Sequence, residues 1–173
     1  VMCYYIKGRN APLYSKSDLD AQLTHLVKDY PDHQSFANQT VTDLFPARVL
    51  EHAHKLKVTN PGSSYLENLG NNQFRLSDLP VDAQLSPLYS ILTGDYNGDQ
   101  NPDLILTGNF YGSRLKFGHL DANRGVVLLG NGDGSFVSLP NQKSGLFLEG
   151  EVRDAIQLSS GPGKDMLLFA LNN

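Results

Sequence analysis

From Asn60-Pro61-Gly62 onward, clusters of Gly, Asn, Asp and Pro cut the chain into short apolar runs, and that punctuation leaves no room for long helices. The runs include Ser90-Ile91-Leu92-Thr93, Leu104-Ile105-Leu106-Thr107 and Val126-Val127-Leu128-Leu129. Runs of this length bounded by turn residues read as strands. The first 60 residues follow a different pattern. Ser17-Asp18 predicts the cap of a helix carrying Leu19, Leu23, Leu26 and Val27 on one face, stopped by Pro31. Thr40 or Thr42 before Asp43 is a second capping signal, and Val49, Leu50, Ala53 and Leu56 predict a helix from about Ala47 to Lys57. The chain is thus expected to be helical at first and β thereafter.

The β part also resembles itself. Leu66-Glu67-Asn68-Leu69-Gly70-Asn71-Asn72-Gln73-Phe74 can be laid over Leu128-Leu129-Gly130-Asn131-Gly132-Asp133-Gly134-Ser135-Phe136. The same offset carries Asp103-Leu104-Ile105-Leu106 onto Asp165-Met166-Leu167-Leu168. Each unit then reads as strand, Gly/Asn turn, strand, loop, strand, Asp-rich turn, strand, the content of one four-stranded propeller blade. The chain holds about two such units, and two cannot close a ring, since propellers take about four to eight blades.

Composition narrows the partners. With 173 residues, 40% of them hydrophobic and a formal charge of -4, the chain can bury a core and carries no basic stripe for nucleic acid. The apolar run Met166 to Leu171 falls short of the roughly 20 residues a membrane helix needs. A single cysteine, Cys3, forms no internal disulfide and does not report the compartment. No charged segment leads into an apolar stretch as a secretory leader would, and a mature secreted chain would read the same way.

The segment that carries chemistry is Asp95-Tyr96-Asn97-Gly98-Asp99-Gln100-Asn101-Pro102-Asp103. Ca²⁺ takes six to eight oxygens, and a curled loop offering side chains at alternate positions can encircle it. Here Asp95, Asn97, Asp99 and Asp103 supply side-chain oxygens and Asn101 its backbone carbonyl. Leu106 stands where an EF-hand needs its bidentate Glu, which excludes that motif. Mg²⁺ demands tighter geometry, and softer metals would recruit His or Cys, which the loop lacks. Asp, Asn, Gly and Pro also build tight turns for backbone reasons alone. Against that reading, so many ligand-competent side chains in one short loop repel one another unless a cation neutralises them.

Elsewhere the sequence offers no catalytic constellation. His52 and His54 are two apart on the expected helix and point to different faces. The glycine-rich stretches Gly108 to Gly112 and Gly130 to Gly134 lack the Lys and following helix of a phosphate cradle. Tyr65, Phe74, Tyr89, Phe110, Tyr111, Phe117 and Phe136 are expected as blade core, with sugar stacking on a propeller face as the other reading.

The Asp95 to Asp103 loop, the β run after it and the Gly130-to-Phe136 turn resemble FG-GAP repeats, also described as VCBS-type repeats. Such repeats build the propellers of integrin α subunits and of cartilage acidic protein-like secreted bacterial proteins. Ser64 to Asn68, Leu79-Pro80 with Ala83-Gln84, Thr107-Gly108-Asn109 and the Asp121-to-Gly125 turn are similar to the C-terminal portion of large bacterial repeat proteins. The resemblance implies a mainly β chain, a partial β-propeller of about two blades with an N-terminal α-helical insertion. Residues 1–14 would be a strand of a preceding blade, 15–60 the helical insertion and 61–173 tandem blade repeats.

It further implies Ca²⁺ held by Asp95, Asn97, Asp99, Asn101 and Asp103, an extracellular or cell-surface location, and non-enzymatic binding of a protein or carbohydrate ligand. The remaining sheet would be closed by the rest of a longer propeller chain or by self-association. Two other readings are a scaffold within a secreted polysaccharide-active enzyme and a purely structural calcium-stabilised repeat. The family loop usually has Gly at its sixth position, where this chain has Gln100, a substitution that costs about 1 kcal/mol if the backbone turns left-handed there. The stretch Leu158 to Asp165 keeps only the final Asp and introduces Lys164, so no calcium is expected there.

Overall fold

The computed structural model describes residues 1–113, 117–159, 161 and 165–172. The chain is mainly β, in small antiparallel sheets, and divides into two compact units, Val1–Val58 and Thr59–Asn173.

The first unit opens on a hairpin of β1 (Cys3–Ile6) and β2 (Arg9–Pro12). Five short helices follow: α1 (Lys16–Asp20), α2 (Leu26–Asp29), α3 (His33–Phe36), α4 (Val41–Leu44) and α5 (Ala47–Glu51). The single helix expected up to Pro31 is therefore two. Its cap is Ser15, whose hydroxyl accepts the Asp18 amide at 3.3 Å while Asp18 accepts the Ser15 amide at 3.1 Å. Asp18 is thus the third helical residue and not the cap, and the reciprocal bonding satisfies two otherwise orphaned amides. Thr40 and Asp43 repeat the device at α4. The packing of Leu19, Leu26 and Leu44 in one buried cluster holds these short turns together, because isolated helices of this length are marginal in water. The helix expected to reach Lys57 stops at Glu51 for the same reason: Leu56, meant for its apolar face, is 87% exposed and has nothing to bury against.

The second unit centres on a four-stranded sheet of β5 (Leu88–Gly94), β6 (Asp103–Gly108), β7 (Val126–Gly130) and β8 (Phe136–Leu139), in that order. Before it comes the hairpin of β3 (Ser64–Gly70) and β4 (Gln73–Asp78), and after it the hairpin of β9 (Glu151–Ser159) and β10 (Asp165–Asn172). A 3-10 turn at Val81–Gln84 and a short helix α6 (Asn141–Ser144) complete the unit.

The two faces of the central sheet bury separate clusters. Leu106, Val126 and Leu128 pack with Ala83, Leu104 and Phe136 on one face, where Phe136 meets Tyr65 of β3 edge to face at 5.6 Å. On the other, Leu92, Ile105 and Val127 pack with Ala155, Leu167 and Phe169 of the β9–β10 hairpin. The sheet is flanked by a hairpin on either side, and no described sheet is closed.

That arrangement tests the internal overlay. Laid on β7 and β8, β3 and β4 fall strand on strand, and Tyr65 and Val127 both face the next layer. The second overlay fails in side-chain direction. Ile105 and Leu167, which it superposes, face each other in one cluster, whereas stacked equivalents must face the same way. A slip of one residue reverses every side chain of a strand. Phe74, expected in the blade core, is 57% exposed, because it lies on the outer face of the first hairpin.

Leu128 is fully buried between strands, so Leu128→Ala is expected to destabilise the protein by about 3 kcal/mol through lost burial and the cavity left behind. Leu56→Ala should leave stability unchanged; thermal melts of both variants measure the contrast.

Candidate metal centre

The segment from Asp95 to Pro102 links β5 to β6, and its backbone wraps around Asp95. One carboxylate oxygen of Asp95 accepts the amides of Gly98 at 2.7 Å and Asp99 at 3.1 Å, and the other accepts that of Gln100 at 2.8 Å. Shorter turns nest inside: Asn97 Oδ1 accepts the Asp99 amide at 2.9 Å, and Asp99 Oδ1 accepts the Asn101 amide at 2.8 Å. Gln100 takes φ 69°, so the left-handed conformation falls on a residue with a side chain. Asp95, Asn97 and Asp99 are exposed, Asn101 is half-buried and Asp103 is fully buried.

Asp103 is the residue that fixes the loop. One of its oxygens accepts the Tyr96 amide at 2.8 Å and the other the Gly130 amide at 2.9 Å. Gly130 is required there because a Cβ would lie 2.1 Å from the Pro102 carbonyl oxygen. The turn from Asn131 to Ser135 is therefore tied to the same end of the sheet, and the side chain of Asn101 lies against Gly132.

Hydrogen bonding also sets the acidities. The Asn101 amide, followed by the Asn97 side chain, holds Asp99 below the ordinary aspartate range. Ser135, through its hydroxyl and then its amide, does the same for Asp133, with a smaller contribution from the charge of Arg75. A carboxylate with a depressed folded pKa contributes stability that is in place above the ordinary aspartate value and fades as pH falls through the lower folded one. Burial raises the phenol of Tyr96, and the charges of Asp103 and Asp165 add to that.

By donor type the loop suits a hard cation, since every candidate ligand atom is oxygen. Lone pairs also remain, because an ionised carboxylate offers about four acceptor positions and these amides use only part of them. Placement is another matter. Among the described residues, no three His, Cys, Asp or Glu side chains come together as a metal-holding group. The expected ligands Asp95, Asn97, Asp99, Asn101 and Asp103 share one loop, yet side-chain oxygens of Asp95, Asn97, Asp99 and Asp103 accept backbone amides. The stretch expected to lack calcium, Leu158 to Asp165, has Ser160, Pro162, Gly163 and Lys164 outside the described residues.

Two features escaped the sequence reading. A cleft of about 470 Å³ lies beside the Gly130-to-Phe136 turn, lined by Tyr65, Arg75, Asp78, Asp133, Ser135 and Phe136 among others. At the opposite end of β6, Asn109 is buried at φ 87°; it accepts from Ser86 and Asn123 and donates to the Asn123 and Gly150 carbonyls. Nearby, the buried Glu151 accepts from the Tyr111 amide, Asn172 and Arg153, and its acidity is raised chiefly by that Tyr111 amide. Asn109 and Glu151 thus have structural partners, and the alternation of Asn and Gly in the sequence gave no sign of it.

No protein-family model matches the chain, and neither the curated proteins nor the solved structures yield a match.

Asp103→Ala strands the Tyr96 and Gly130 amides and is expected to cost about 3 kcal/mol, against about 0.5 kcal/mol for exposed Asp99→Ala, by chemical denaturation. Gln100→Gly should raise stability by roughly 0.5 kcal/mol, the relief of left-handed strain exceeding the added chain entropy.

Proposed function

We propose that the chain is a non-enzymatic binding module of a β-propeller type, in which the Asp95 to Asp103 loop takes up Ca²⁺ and stiffens one end of the central sheet. The observation that carries the reading is the loop itself. Its backbone curls around Asp95, its exposed oxygens at Asn97 and Asp99 follow at alternate positions, and Asp103 is pinned at its end. Bound there, the ion would neutralise the carboxylates and draw in the Asn101 carbonyl, and Asp95 and Asp99 would turn from amides to metal. The four-stranded sheet flanked by hairpins, with β3–β4 overlying β7–β8 in strand order and side-chain direction, supports the propeller part of the reading.

The ligand would be a protein or a carbohydrate met outside the cell, and the cleft beside the Gly130-to-Phe136 turn supports that use. Its wall pairs the rings of Tyr65 and Phe136 with the guanidinium of Arg75 and the carboxylates of Asp78 and Asp133. Aromatic faces beside hydrogen-bonding groups are what a polar ligand with apolar patches requires.

A second reading has a specific observation behind it. The acidic side chains do not gather, and their oxygens are already bonded to amides, so the loop can serve as a metal-free structural turn.

Calcium titration separates the two. In the first reading, Ca²⁺ at about 100 times its dissociation constant adds about 2.7 kcal/mol to stability. The melting temperature should rise with calcium, return to its starting value with EGTA, and stay flat in Asp99→Asn, which keeps the acceptor for the Asn101 amide but removes the charge. A melting temperature indifferent to calcium in the unmodified chain leaves the structural turn as the answer.

A further inference from the structure

The sequence contains two Asn–Gly pairs, Asn97-Gly98 in the Asp95 to Asp103 loop and Asn131-Gly132 in the turn between β7 and β8. Such pairs are the most open to spontaneous deamidation, because no side chain on glycine shields its amide nitrogen from the asparagine carboxamide. The two pairs are held very differently in the fold. We propose that Asn131 is a site of spontaneous conversion to aspartate and isoaspartate, a slow covalent timer set beside the Asp103 clamp, and that Asn97 is protected from the same reaction. The inference rests on neither the calcium nor the propeller reading.

The chemistry needs only water. The Gly132 amide nitrogen loses its proton to solvent and attacks the side-chain carboxamide carbon of Asn131. A carbon–nitrogen bond forms there, the bond to Nδ2 breaks, and the departing nitrogen takes a proton from solvent and leaves as ammonia. Water then opens the resulting cyclic imide at one of its two carbonyl carbons. Opening at the main-chain carbonyl carbon gives isoaspartate, whose backbone runs through the former side chain and is one methylene longer; opening at the side-chain carbonyl carbon gives aspartate.

At Asn97 the fold opposes each part of this reaction. The Gly98 amide donates to Asp95 Oδ1 at 2.7 Å, and a carboxylate so close disfavours removal of the proton. Asp99 grips the Asn97 carboxamide at both ends, its amide donating to Oδ1 at 2.9 Å and its carboxylate accepting from Nδ2 at 2.9 Å. At Asn131 the Gly132 amide meets no acceptor among the described residues. There the carboxamide is tethered by one hydrogen bond, from Nδ2 to the Ser135 hydroxyl oxygen at 2.8 Å. Asn131 and Gly132 are both exposed, so water reaches them. Hydrogen bonds to charged acceptors are each worth a factor of about ten to a hundred, which sets the scale of the protection at Asn97. Nor does the fold allow the reactive glycine to be exchanged. Gly132 takes φ 80°, and a Cβ there would lie 2.5 Å from Asn101 Oδ1.

Conversion strikes a turn on which its neighbours depend. The Asn131 amide closes the turn by donating to the Ser135 carbonyl at 3.0 Å, and the amide just before it, that of Gly130, donates to Asp103. Isoaspartate lengthens the main chain inside that closure. Aspartate removes the Nδ2 donor and places a carboxylate two residues from Asp133, whose ionised form Ser135 already favours. Asp133 and Ser135 line the cleft, so either product adds negative charge at its rim.

Peptide mapping by mass spectrometry, with asparagine, aspartate and isoaspartate resolved at both positions, tests this on the full chain aged at physiological temperature and mildly alkaline pH. In the folded chain Asn131 should convert at least about ten times faster than Asn97, given the carboxylate bond at Gly98. In urea the two should convert at similar rates, which isolates the effect of the fold. The aged chain should melt below the fresh one, while Asn131→Gln, checked for folding by circular dichroism, should keep its melting temperature on ageing. Equal rates in the folded chain, faster conversion at Asn97, or an intact Asn131 over the time in which the unfolded chain converts would each overturn the proposal. An aged chain with Asn131 converted but its melting temperature unchanged would overturn the coupling to the clamp.

Discussion

The Asp103 carboxylate is the interaction on which this end of the molecule depends. It is fully buried, and each of its oxygens accepts one backbone amide, from Tyr96 in its own loop and from Gly130 at the far end of β7. A buried carboxylate without such donors would be strongly destabilising. With them it becomes a clamp that fixes where the loop leaves β5, where β7 ends, and how closely two strand ends approach. The closeness of Gly130 to the Pro102 carbonyl follows from the same geometry.

This clamp bears on how the loop could work as a metal site. Asp95, Asn97 and Asp99 are exposed and held by local turns, so they can exchange an amide for another partner at modest cost. Asp103 cannot leave its amides without stranding them in the interior. A cation would then have to come to Asp103 and use its remaining lone pairs, while the outer residues fold in around it. Rigid at one end and adjustable at the other, the loop divides structural and ligand roles among chemically similar residues.

Much of the architecture was legible because it is local. The apolar runs after Asn60 became strands, and the Thr40–Asp43 capping signal formed as a reciprocal pair, though it caps the separate turn α4 and not the helix that begins at Ala47. What was not legible depended on residues far apart. The helix toward Lys57 ended early because no core reached Leu56, and the pattern of apolar spacings carries no information about whether a partner surface exists. The overlay of Asp103–Leu106 on Asp165–Leu168 matched residue types but not direction, since a shift of one residue leaves composition nearly unchanged and reverses the face. In the candidate site the oxygen-bearing residues were readable, while the amides that occupy them, above all that of Gly130, were not.

The same limit explains why the hairpins at either end of the second unit are informative. A sequence can encode a strand fully and still leave its partner unspecified, because pairing is set by edges and faces. Here the inner face of each hairpin is spent on the central sheet, Tyr65 against Phe136 on one side and Leu167 against Ile105 and Val127 on the other. The outer faces keep their leucines, isoleucine, methionine and phenylalanine in water. Isolated apolar residues at a surface are ordinary, but opposed pairs on the same face of an unpaired strand form a contiguous patch. Two such patches lie at opposite ends of one layered stack, and it is the packing against the central sheet that decides which face of each hairpin is left outside.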